Sequence, residues 1–263
     1  MKKQRIWELD FLRGFAIIMM IFDHLMYDFR NLNSFFSNFN TVDNPVFNWL
    51  NDIARLYWSS ELRFYGHIFF ISLFLLISGI SFTFSKNNLS RGLKLGLVAL
   101  LINLVTFLIE EFAGLNIFIL FGVIHMFATS IIITFLLRKL WNNDWFILII
   151  GLIVISIGIY IEFWDLKYLQ TWSLADLPKI IIGLNAYGAD SFSIFPYTGI
   201  IMIGTVIGNQ FYKNRISLIP NVKIGKKNIV NWIGKNSLLI FLTHQIALMG
   251  LIFLIGYLFG YRA

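Results

Sequence analysis

Long apolar runs, interrupted by short polar stretches, fill most of the chain. Several runs reach the ~20 residues that cross hydrocarbon as a helix. The pattern predicts an all-α fold, a polytopic membrane helix bundle of about seven spans. They fall near 9–30, 64–85, 91–110, 116–138, 144–163, 191–212 and 235–259. The connections alternate in charge. One set holds Lys2, Lys3 and Arg5, then Lys86, Arg91 and Lys94, then Arg138 and Lys139, then Lys213, Arg215, Lys223, Lys226, Lys227 and Lys235. The opposite set holds Asp43, Asp52 and Glu61, then Glu110 and Glu111, then Glu162, Asp165, Asp176 and Asp190. Basic residues mark cytoplasmic loops, so the N-terminus is expected in the cytoplasm and the C-terminus outside. An odd number of spans agrees with ends on opposite sides.

Two outer segments are more than plain loops. In residues 31–63, Asp43-Asn44-Pro45 offers a helix start with proline in the first turn. Val46, Trp49, Leu50, Ile53, Leu56 and Tyr57 then recur at helical spacing, which predicts an amphipathic helix lying in the outer interface. Residues 164–190 contain a short apolar piece, Ile180 to Leu184, too short to span and expected to be re-entrant or outer. The whole of 1–263 reads as one integral-membrane domain. The N-terminal MKKQR followed by an apolar stretch looks like a signal peptide, but Glu8, Asp10 and Arg13 interrupt it, and a retained first helix is expected.

Composition narrows the function. Of 263 residues, 58% are hydrophobic and 13% charged, against roughly a quarter charged in soluble domains. There is no cysteine, which excludes disulfides, thiolate catalysis and Cys-ligated metals. The net charge of +7 is spread over short loops, a membrane-side bias rather than a nucleic-acid surface. No metal-spacing cluster, phosphate-cradling loop or nucleophile elbow stands out.

The chemistry lies in polar groups inside the apolar runs, where ionisable side chains are costly and mark function. All four histidines, His24, His67, His125 and His244, sit within or at the rim of such runs. The first helix carries Asp10, Arg13, His24 and Asp28. Eleven residues bring His24 over Arg13, about 16 Å further along, and Asp28 follows one turn later on the same face. A carboxylate beside an imidazole raises its basicity and can fix its tautomer, which equips a general base. Asn103, His125, His244 and Gln245 add polar lining, with structural interhelical hydrogen bonds as the alternative. Gly79, Gly122, Gly199, Gly204 and Gly208 are expected at close helix contacts.

LDFLRGFAIIMMIFDHLMYD, followed by LFLLISGISF, resembles the heparan-α-glucosaminide N-acetyltransferase catalytic-domain family, in its prokaryotic members, within the wider transmembrane acyltransferases. The Arg13-to-His24 spacing and Phe74 through Ser78-Gly79 fit that pattern. So do FGVIH around His125, IFPYTGIIMIGTVIG around Pro196, and GKNSLLIFLTHQ around His244. The resemblance covers nearly the whole chain.

What it implies is transfer of an acetyl or acyl group from cytoplasmic acyl-CoA to a sugar or glycan on the other side, in a prokaryotic cytoplasmic membrane. Asp10, Arg13 and Ser78 would serve the acetyl-CoA donor, the guanidinium suiting phosphate. His24, with Asp28, would be general base or acyl-carrying nucleophile. Animal members place a functional histidine in the first outer loop, and residues 31–63 have none. Either His24 or His67 then takes that role. The bilayer, acyl-CoA, the glycan acceptor and a second copy in a homodimer are the expected partners; nucleic acid and metal are not. A permease for a small polar solute is the competing reading, though no internal repeat supports it.

Overall fold

A computed structural model describes residues 6–114, 117–222 and 228–262. The basic positions Lys2, Lys3, Arg5, Lys223, Lys226 and Lys227 lie outside the described residues. The chain is mostly helical and divides into two units, residues 1–74 with 219–263, and residues 75–218.

In the first unit, α1 (Trp7–Arg30) packs against α3 (Pro45–Trp58), α10 (Ile229–Lys235) and α11 (Ser237–Leu258). A one-turn helix, α2 (Leu32–Phe35), follows α1. Asn44 starts α3 as predicted: its side-chain oxygen accepts from the Val46 and Phe47 amides, with Pro45 in the first turn. The face of α3 that turns inward differs from the apolar stripe, however. Phe47, Asn51 and Ala54 are buried, while Val46, Trp49 and Leu56 are exposed. The inward side caps α1, because Asn51 Nδ2 donates to the Phe29 and Arg30 carbonyls that end it. Beside this cap, Leu32, Phe36, Phe39, Phe47, Ile252 and Tyr261 form an aromatic core. Close approach of α1 and α10 depends on Gly14 and Gly234. A Cβ on Gly14 would meet the Val230 carbonyl, and one on Gly234 the Asp10 carbonyl.

α4 (Glu61–Phe82) begins in the first unit and ends in the second. The second unit contains α5 (Asn88–Ala113), α6 (Val123–Leu140), α7 (Asp144–Tyr160) and α9 (Tyr197–Phe211). α5 pairs with α6, and α9 packs on α6 and α7. Glycines set the approach here too: a Cβ on Gly79 would strike the Ile201 carbonyl, and one on Gly204 the Leu76 carbonyl. Arg138 ties α6 to its neighbours, donating to Thr205 Oγ1 and to Asp144 Oδ1. Asp144 also accepts from Asn209 and Gln210.

The segment expected to be outer or re-entrant holds short elements. After a π-helical turn (Ile161–Asp165), β1 (Lys167–Tyr168) pairs in parallel with β2 (Asn185–Ala186). The six-residue α8 (Leu177–Ile182) lies between them with Ile180 buried.

Among the described residues, five helices are long and apolar enough to cross a bilayer: Glu61–Phe82, Asn88–Phe112, Val123–Leu140, Asp144–Phe163 and Ser237–Leu258. The other two predicted spans fall short for different reasons. α1 has 24 residues but carries Glu8, Asp10, Arg13, Asp23 and Asp28 along its length. α9 has 15 residues, about 22 Å of helix, because Pro196 caps its start. The last predicted span, 235–259, is α11, which follows the short α10 across Asn236.

Candidate functional site

α1 presents its polar side chains to several neighbouring helices. His24 faces α11. Its Nδ1 lies 2.9 Å from the Met20 carbonyl, one turn back. Side chains on a helix lean toward its N-terminus, which brings the ring to that carbonyl. A carbonyl can only accept, so Nδ1 carries the proton and the neutral ring keeps a lone pair on Nε2. His244 repeats the arrangement on α11, its Nδ1 2.6 Å from the Phe241 carbonyl. The two imidazoles meet edge to face, with centroids 4.9 Å apart and planes at 85°. His244 is buried, and its Nε2 has no hydrogen-bond partner among the described residues. A buried acceptor left open asks for a donor to fill it.

Asp28, expected beside His24, is fully buried and bonded elsewhere. Gln245 Nε2 donates to both its oxygens, at 2.9 and 3.1 Å. Consecutive residues of α11 thus serve two positions one turn apart on α1, His244 against His24 and Gln245 against Asp28. The His24 ring is oriented by its own backbone, not by the carboxylate.

Near the start of α1, Arg13 Nη1 donates to Asp10 Oδ1 at 3.2 Å and to the Gly234 carbonyl at 3.4 Å. The guanidinium is anchored at the α1–α10 contact and is part-buried. Ser78 is buried on α4 within the second unit.

Asn103 and His125 form a site of their own in the second unit. The Gly122 amide donates to His125 Nδ1 at 3.2 Å, so Nε2 carries the proton and donates to Asn103 Oδ1 at 2.6 Å. Asn103 Nδ2 then donates to the Ile119 and Leu120 carbonyls. Thr106 and Glu110, on the same face of α5, accept from the Ile119 and Phe118 amides. Both ring nitrogens of His125 are spent on holding the α5–α6 connection, which leaves no lone pair for a ligand or proton.

Asp23 forms a further polar cluster on α1. It accepts from Tyr57 Oη at 3.0 Å and, in a fork, from Arg63 Nε and Nη2 at 3.1 Å each. His67 Nδ1 lies 3.4 Å from its other oxygen. The signal was present: a carboxylate in the middle of an apolar helix, directly before His24. Tyr57 and Arg63 gave less, because one reads as an interface aromatic and the other as a loop cation.

The sequence pattern of heparan-alpha-glucosaminide N-acetyltransferase, catalytic, matches residues 5–246. No curated protein and no solved structure matches the chain.

Proposed function

The chain belongs to the heparan-alpha-glucosaminide N-acetyltransferase catalytic family, and from that premise we propose that it moves an acetyl group from acetyl-CoA to a hydroxyl or amine of a glycan across a membrane. The observation that carries this reading is the His24–His244 pair. Transfer from a thioester to an alcohol or amine needs a base that is neutral at working pH and has a free lone pair. Each ring has committed its N–H to a backbone carbonyl and keeps Nε2 open.

In this reading His24 Nε2 takes the acceptor's proton as its oxygen or nitrogen attacks the thioester carbon. The new C–O or C–N bond forms, the C–S bond breaks, and the CoA thiolate leaves and is protonated. His244 backs the His24 ring, and its edge-to-face contact limits the ring's rotation. The Asp28–Gln245 bond keeps α11 in register with α1. Arg13, already anchored by Asp10 and Gly234, serves the charged end of the donor. The alternating loop charges support seven spans with the N-terminus in the cytoplasm. α1 then crosses with its charges turned to protein, and α9 is counted as the seventh span. The exposed apolar face of α3, with Val46, Trp49 and Leu56, suits a helix lying against lipid.

The test uses the purified protein in liposomes, with labelled acetyl-CoA on one side and glucosamine or methyl β-glucoside on the other. Labelled, acetylated sugar supports the proposal. Sugar that crosses unmodified, with the label still on CoA, favours a permease and contradicts it.

A further inference from the structure

Asp23 and His24 are consecutive on α1, so their side chains leave the helix about 100° apart at nearly one level. His24 turns to α11, whereas Asp23 turns to α3 and α4. There Tyr57 and Arg63 supply three hydrogen bonds to its carboxylate. The Arg63 guanidinium also lies over the Trp58 ring, 3.9 Å from its centroid. This cluster joins α1, α3 and α4 and is complete as a structural clamp without His67.

His67, one turn after Arg63 on α4, is fixed by the clamp without being needed for it. A carboxylate only accepts, so the nitrogen facing Asp23 carries the proton and Nε2 keeps a lone pair. The His67 side chain is 37% exposed against 13% for Asp23. Nε2 has no hydrogen-bond partner among the described residues. The result is a carboxylate-held imidazole that presents an acceptor atom, at the level of α1 where His24 presents another.

We propose that Asp23 is a positioning residue that holds His67 to bind the glycan's reacting hydroxyl or amine through Nε2, beside the base at His24. The ligand class is a hydrogen-bond donor with several hydroxyls, a neutral sugar or an amino sugar. This rests on the acyl-transfer reading and adds the acceptor's contact to it. His67 binds and orients; proton abstraction stays with His24.

The experiment uses the full chain with labelled acetyl-CoA and glucosamine. His67→Ala is expected to raise the glucosamine KM by about tenfold or more, the loss of one good hydrogen bond. The acetyl-CoA KM stays at its wild-type value and the protein still folds, since Tyr57 and Arg63 still hold Asp23. In the wild-type protein, glucosamine slows diethyl pyrocarbonate modification of His67, read by mass spectrometry, and CoA does not. An unchanged glucosamine KM in His67→Ala, or protection of His67 by CoA and not by glucosamine, overturns the inference. A wild-type protein that neither hydrolyses acetyl-CoA nor transfers its acetyl group overturns the acyl-transfer reading, and this inference with it.

Discussion

His24 and His244 stand edge to face, 4.9 Å between ring centroids, each with its Nδ1 against a backbone carbonyl of its own helix. Two separate helices thus present two imidazoles in the same tautomer. The arrangement needs α1 and α11 to hold their register, and the predictions below begin with that register.

Gln245 is the partner within hydrogen-bond distance of both Asp28 oxygens, and Asp28 is fully buried. Gln245→Leu leaves that carboxylate stranded. The expected cost is about 3 kcal/mol, read as a lower thermal midpoint. A midpoint equal to that of the wild type would show that the bond holds nothing.

Gly14 and Gly234 let the backbones of α1 and α10 touch, since a Cβ on either would strike a carbonyl of the other helix. Backbone cannot yield as a flexible side chain does. Gly14→Ala is therefore expected to destabilise by about 3 kcal/mol or more, far beyond the small change of an exposed helical glycine. Gly66 and Gly250 have open space around an added Cβ. Their alanine variants, measured beside it, should keep or raise the midpoint.

Burial, together with the neighbouring Asp23 carboxylate, pushes the Tyr57 hydroxyl up to about 12. A raised value in the folded state means that the neutral hydroxyl is what folding favours. Its contribution is whole below the unfolded value near 10 and is lost as pH climbs toward 12. Tyr57→Phe should lower stability by about 1–2 kcal/mol at neutral pH. It should also flatten the fall in midpoint between about pH 10 and 12. Equal alkaline slopes in the two proteins would contradict this.

His125 and Asn103 are assigned to structure. Asn103→Leu removes the acceptor of the His125 N–H and the donor to two carbonyls. It should cost about 2 kcal/mol or more, with the double variant carrying Asn103→Leu and His125→Leu less damaged than the sum of the singles. Strict additivity would mean that the two residues act separately.

Much of this was legible in the chain, and the residues show where legibility stopped. Asn44-Pro45 announces the start of α3 because capping is local chemistry. Which face of α3 turns inward was not readable, because an apolar stripe facing lipid looks the same as one facing a core. α11 is apolar all round, so its sequence cannot say which side meets α1. The His24–His244 contact is therefore invisible, although both residues were singled out. Asp28 was matched to His24 by helical spacing, yet a glutamine 217 residues away takes it. Asp23 breaks an apolar run as plainly as His24 does, and only its tertiary partners reveal its use. Gly79 and Gly204, expected at close helix contacts, do lie where helices touch.

The most direct test of the central claim is acetyl transfer to glucosamine by His24→Ala, with its thermal midpoint measured beside that of the wild type. The account predicts turnover reduced by about 10²-fold or more in a protein that still folds. Full turnover in a folded His24→Ala protein would contradict it.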